Sequence, residues 1–191
     1  NILITDLGTD QVMVYHADTV NKKLEVKLAQ TVSMPPGSGP RHIILYAETN
    51  HAYILNELTG TVNMIRYCNG CLTTGFVCNT LPTDFKPIPG AAAIRISANG
   101  KFIYTSERSD NSISILRVDS EKGTLELIGR QDTLGKTPRD FILDPGGNWL
   151  LVVNQDSDSI TIFKVDRNSG YLDPVNLIES IKSPVCLHWL A

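Results

Sequence analysis

Long apolar runs are missing from this 191-residue sequence. The longest, such as Trp149 to Val153, have the length of a strand, which excludes a membrane-spanning helix. A dominant charge of one sign is missing too. Charged residues are 19% of the chain and the formal net charge is -3, so neither nucleic acid nor an acidic membrane surface is expected as a partner. No Gly-rich phosphate loop follows a strand, and no GxSxG elbow or HExxH pair occurs. Neither a metal nor another cofactor is expected. Helical periodicity appears nowhere over a useful length. No stretch reads as a signal peptide, and a cytoplasmic location is expected.

Cysteine is sparse, at four residues: Cys68, Cys71, Cys78 and Cys186. Cys68-Asn69-Gly70-Cys71 is a CxxC, but no second pair follows to complete a zinc site. A redox motif of the thioredoxin kind lies between a strand and a helix, whereas this one falls in a predicted hairpin. Ordinary thiols or an incidental disulfide are the expected reading.

What the sequence has instead is a repeat. Residues 2–15, 52–65, 101–115 and 149–162 share one pattern. A β-branched or aromatic run is broken by polar and Gly residues, and then apolar-polar alternation resumes, which reads as strand, turn, strand. The first apolar residues after the turns are Val12, Val62, Ile113 and Ile160, spaced 50, 51 and 47 residues apart. That period fits one four-stranded antiparallel blade per repeat in an all-β propeller. Upstream of the hairpins lie Pro40-Arg41-His42, Ala91-Ala92-Ala93, Pro138-Arg139-Asp140 and Pro184-Val185-Cys186, each leading an apolar run. The units fall at about 1–39, 40–90, 91–137 and 138–182, with 183–191 expected as a ring-closing inner strand. The chain opens on the second strand of a blade, so two readings stand: a piece of a larger ring cut at its N-terminal side, or a small closed ring. An open arc leaves sheet edges bare, so pairing with a second copy or with a missing N-terminal segment is expected.

In propellers, chemistry sits where inner-strand ends and hairpins converge at the channel mouth. Arg41-His42 and Arg139-Asp140 open inner strands at equivalent places. Charged groups there enter the sheet-to-sheet core only at high cost, so they are expected to face the mouth. The hairpin positions Asp6, Asn56, Glu107 and Asn154 align, followed by Leu7, Glu57, Arg108 and Gln155. Asn56 and Asn154 read as strand-end clamps. Arg95 interrupts an apolar inner strand. Arginine's planar fork suits carboxylate or phosphate, and histidine moves protons near neutrality. A ring of Glu-Arg ion pairs would read the same way in sequence.

Gly39-Pro40-Arg41-His42, with Asn56-Glu57-Leu58 beyond it, resembles the seven-bladed propeller lactonase family of 6-phosphogluconolactonases and carboxy-cis,cis-muconate lactonizing enzymes. The likeness continues through residues 92–101, Glu107-Arg108-Ser109-Asp110-Asn111, Thr137-Pro138-Arg139-Asp140 and Ser183-Pro184. The resemblance implies a seven-bladed ring, of which this chain carries about four blades, and a small acidic substrate such as 6-phosphogluconolactone. It also implies His42 as acid/base residue with Glu57 and Glu107 as partner carboxylates. Arg41, Arg95, Arg108 and Arg139 would hold the substrate. A muconate-type cycloisomerase and a non-catalytic binding platform are the alternatives.

Overall fold

In the computed structural model of the protein, the described residues are 1–46, 49–69 and 71–190. Gly70 of the CxxC and Ala191 of the expected ring-closing strand lie outside them. The described residues form fifteen strands in four antiparallel meanders. Blade I holds β1 (Ile2–Asp6), β2 (Gln11–Val20) and β3 (Lys23–Ser33). Blade II holds β4 (Pro40–Tyr46), β5 (His51–Asn56), β6 (Thr61–Cys68) and β7 (Cys71–Asn79). In blade III are β8 (Ala91–Ile96), β9 (Phe102–Glu107), β10 (Ser112–Val118) and β11 (Leu125–Asp132). Blade IV has β12 (Pro138–Leu143), β13 (Trp149–Asn154), β14 (Ser159–Val165) and β15 (Leu172–Glu179). Blade I is three-stranded and the others four-stranded. Side by side, β4, β8 and β12 form the inner wall, and β1 lies against β4.

The strand period of two explains how the blades stack. On β5, Tyr53 and Leu55 face blade III, packing with Ala91, Ile94 and Ile103. The alternate residues Ala52 and Ile54 face blade I, packing with Val12 and Val14. On β9, Phe102 and Tyr104 turn to blade IV and meet Phe141, Leu150 and Phe163. With a blade against each face, β5 and β9 are buried along their whole length: the apolar residues 52–55 and 102–104 pack between blades, and polar residues stand towards the strand ends. Two tyrosines latch neighbouring blades at the far end. Tyr53 donates to the Gly123 carbonyl at 3.0 Å and Tyr104 to the Gly170 carbonyl at 2.9 Å. Both glycines have positive φ, and a Cβ on Gly170 would stand 2.6 Å from Phe102.

Two local devices recur in the blades. In each complete blade the inner strand carries a register shift at its start, between Pro40 and His42, Ala91 and Ile94, and Pro138 and Asp140. A bulge leaves a residue out of the ladder and re-aims its side chain, and here it frees Arg41 and Arg139. The second device is a left-handed residue in each middle hairpin: Asp10, Gly60, Asn111 and Asp158. The Asp10 carboxylate accepts the Gly39 N–H at 2.8 Å, Asn111 Oδ1 accepts that of Thr137 at 2.8 Å, and Asp158 Oδ1 accepts that of Ser183 at 2.7 Å. Each of these side chains therefore pins the residue that precedes the next inner-strand Pro.

Ser183-Pro184 thus starts as Gly39-Pro40 and Thr137-Pro138 do, with positive φ at Ser183, Gly39 and Thr137. The expected strand over 183–191 nevertheless does not form across the described residues 183–190. They run beside β12, where Leu187 N–H donates to Asp140 Oδ2 at 3.2 Å and the Trp189 indole to the Leu143 carbonyl at 2.8 Å. A strand needs a ladder partner, and no described residue offers this segment the second strand of its own blade.

Candidate active site

The mouth is built on the bulged starts of the inner strands. Glu57 lies at its centre, immediately after β5. Its Oε2 takes Arg41 Nε at 2.9 Å, and its Oε1 takes Arg108 Nη2 at 2.6 Å. One carboxylate therefore clamps the inner strand of its own blade and the hairpin of the next. Arg108 also donates through Nε to the Gly90 carbonyl at 2.9 Å, and Arg41 Nη1 donates to the Ala92 carbonyl. Arg139, at the position equivalent to Arg41, reaches Gln155 Oε1 at 3.5 Å. The Arg-to-hairpin contact thus recurs in blades II and IV with different chemistry, a carboxylate in one and an amide in the other.

His42 lies on the inner wall beside Arg41, whose Nη1 is 3.1 Å from the ring Nε2. Burial, then the charges of Arg41 and Arg95, push its pKa down to about 4. The imidazole is accordingly neutral at physiological pH and can accept a proton or a hydrogen bond. An open cleft of about 480 Å³ lies in front of it, lined by Leu3, Thr5, Arg41, His42, Ile94 and Arg95. Thr5 ties the edge strand β1 to this wall by donating to the Arg41 carbonyl at 2.7 Å.

Arg95 extends along β8 to Asp140 of blade IV, with Nη2 2.9 Å from Oδ1 and the guanidinium over the Phe141 ring. The sequence places Asp140 at the mouth but gives it no part in binding or catalysis. Its signal was the alignment itself, because Pro138-Arg139-Asp140 puts a carboxylate where blade II has His42. Around the mouth, Arg41, Arg95 and Arg108 pair with the carboxylates of Glu57 and Asp140, and Arg139 meets only Gln155, which leaves these groups with an excess of positive charge.

Glu107 is held differently. Its Oε1 accepts the N–H of Gly90 at 2.5 Å and of Ser109 at 3.2 Å. Blade III needs this because Gly60 has no side chain to pin the residue before β8, the task that Asp10, Asn111 and Asp158 perform elsewhere. Glu107 Oε2 is buried without a hydrogen-bond partner, and burial raises the carboxyl pKa. No described contact joins Glu107 to His42. Asn56 and Asn154, the aligned positions, are clamps: Asn56 donates to Thr61 and Asn63, Asn154 to Ser159 and Thr161. Among the described residues no group of three or more His, Cys, Asp or Glu could hold a metal ion. No helix among them is long and apolar enough to cross a membrane.

Comparison with known proteins places this arrangement. Residues 1–189 match the family model described as lactonase, 7-bladed beta-propeller. A 6-phosphogluconolactonase of Formosa agariphila is 36% identical over 175 residues, covering 90% of this chain and 49% of the relative. The 6-phosphogluconolactonase of Bacillus subtilis is 29% identical over 191 residues, covering 99% and 54%. The solved periplasmic gluconolactonase of Pseudomonas aeruginosa superposes with a TM-score of 0.89 at 34% identity, covering 99% of this chain and 53% of that one. The chain spans about half the length of the curated relatives it matches. With the blade repeat and the match along nearly its whole length, the chain belongs to the seven-bladed β-propeller lactonase family.

Proposed function

We propose that the cleft in front of His42 opens an acidic sugar lactone such as 6-phosphogluconolactone. The observation that carries this reading is a histidine held neutral beside arginines in a mouth with excess positive charge. Neutral His42 takes a proton from water as the water oxygen bonds to the ring carbonyl carbon. Guanidinium N–H groups of Arg41 and Arg95 stabilise the oxyanion that develops. Collapse of that intermediate breaks the ring C–O bond, and the leaving oxygen takes the proton back from His42, giving the hydroxy acid. Arg108 and Arg139 attract the substrate's phosphate or carboxylate. Glu57 keeps Arg41 and Arg108 in register, and Glu107 holds the start of β8 through Gly90. In the seven-bladed ring a further inner strand beside β1 completes the wall of this site, a reading supported by the three-stranded blade I.

A non-catalytic binding platform is the second reading. It is favoured by the internal partners that Arg41, Arg95 and Arg108 already have. Assay of 6-phosphogluconolactone opening separates the two. Wild type is expected to accelerate it, and His42→Ala to lose at least about 100-fold in kcat/KM. Equal rates for the two proteins would remove His42 from the mechanism. A substrate panel including muconate lactones distinguishes hydrolysis from cycloisomerisation.

A further inference from the structure

The CxxC has no part in the mouth. Cys68 closes β6 and Cys71 opens β7, and the two are direct register partners across the hairpin. Both are free and exposed. Directly opposed residues of an antiparallel pair have Cα atoms about 4.5–5.5 Å apart, inside the range of about 4.4–6.8 Å that a disulfide spans. Their Cβ atoms stand about 4.5–5.5 Å apart before bonding and about 3.5–4.5 Å after it, so closure asks for roughly 1 Å of movement. Cys68 and Cys71, exposed at the ends of their strands, can supply that. A metal reading fails because no described group supplies the further ligands a closed site requires.

The neighbours of the two cysteines give such a bond a consequence. Tyr67, before Cys68, accepts a hydrogen bond from Asn1 of blade I at 2.5 Å. Leu72, after Cys71, exchanges two bonds with the Gln30 side chain of blade I, at 2.8 and 2.7 Å. The hairpin end is therefore a place where blade I is fastened to blade II. Cys78 is buried, and burial pushes its thiol up, which removes it from competition.

We propose that Cys68 and Cys71 form a reversible cross-strand disulfide that strengthens the seam between blades I and II. The oxidant is a low-molecular-weight disulfide. One cysteine thiolate attacks it, forming a mixed disulfide and releasing one small thiol. The other cysteine thiolate then attacks the mixed disulfide and releases the second. Two protein thiols lose two electrons and two protons, and one small disulfide becomes two thiols.

The test uses the full chain carrying Cys186→Ser, incubated with oxidised glutathione and alkylated with iodoacetamide under native conditions. Chymotryptic cleavage after Phe76 separates the pair from Cys78. The fragment with Cys68 and Cys71 should lose the mass of two hydrogens, resist alkylation and recover both thiols in dithiothreitol. The oxidised protein should melt about 2–4 °C above the reduced one, and adding Cys71→Ser should abolish both signals. Glutathione adducts that persist at both cysteines would overturn the bond. A bond that forms without raising the melting temperature would overturn its role as a fastener.

Discussion

Blades I and II carry the same alternation in their second strands, yet they live in different surroundings. In β5, Ile54 and Leu55 are fully buried, whereas in β1 Ile2 and Ile4 are 41% and 43% exposed. The difference lies in what covers them. Strand β5 has β4 on one edge, β6 on the other, and a blade against each face; β1 has β2 alone in its ladder. An apolar alternating strand is therefore a statement about the neighbours it requires, and among the described residues only blades II and III supply all of them.

Substituting matched positions tests this comparison most severely. Ile54→Ala should cost about 3 kcal/mol, because it removes buried methyl groups and leaves a cavity between blades I and II. Ile4→Ala should cost under about 1 kcal/mol. Urea unfolding of both variants checks it, and equal losses would mean that β1 is as well covered as β5.

A smaller effect concerns the acid side. His42 titrates at about 4 in the fold against 6.5 when unperturbed, so the unfolded chain takes up its proton first as pH falls. The associated stability is complete above about 6.5, is lost progressively as pH drops towards 4, and the loss levels off below that. With allowance for partial exposure, about 2 kcal/mol should be lost. Burial, then the charge of Arg66, also lowers the His51 pKa, which adds to the same slope. The difference between wild type and His42→Phe in urea midpoints across that range isolates the His42 share, and parallel curves would contradict it. The smallest expected effect is that of Thr5→Val, about 0.5–1 kcal/mol, through loss of the bond from blade I to the Arg41 carbonyl. Hydrogen exchange at β1 should respond to it more than exchange at β9.

The blades were legible because each is a local object. Strand alternation, the turn residues and the 47- to 51-residue period all sit within one unit, and the anchors Val12, Val62 and Ile113 do fall at or beside the starts of β2, β6 and β10. The charged residues that the structure gathers at the mouth were legible by type. Arg41, His42 and Arg139 could be picked out as charge at inner-strand starts, Glu57 and Arg108 as charge at the hairpins, and Arg95 as an interruption of an apolar strand. Who pairs with whom could not. Glu57 meets Arg41 of its own blade and Arg108 of the next, a choice made by the packing of blade II on blade III. That Asp140 pairs with Arg95, one blade away, was likewise not legible.

The sequence by itself determined the strand order, the blade repeat and the concentration of arginines around His42, since periodicity and residue chemistry are local properties. Tertiary structure alone decided that His42 is neutral, because desolvation and two guanidinium charges reach it through space. It also decided that Glu107 holds Gly90, because Gly60, far away in sequence, lacks the side chain that does this elsewhere. And it decided that residues 183–190 take the start of an inner strand without its ladder, because a strand exists only beside a partner that contacts distant in sequence bring to it.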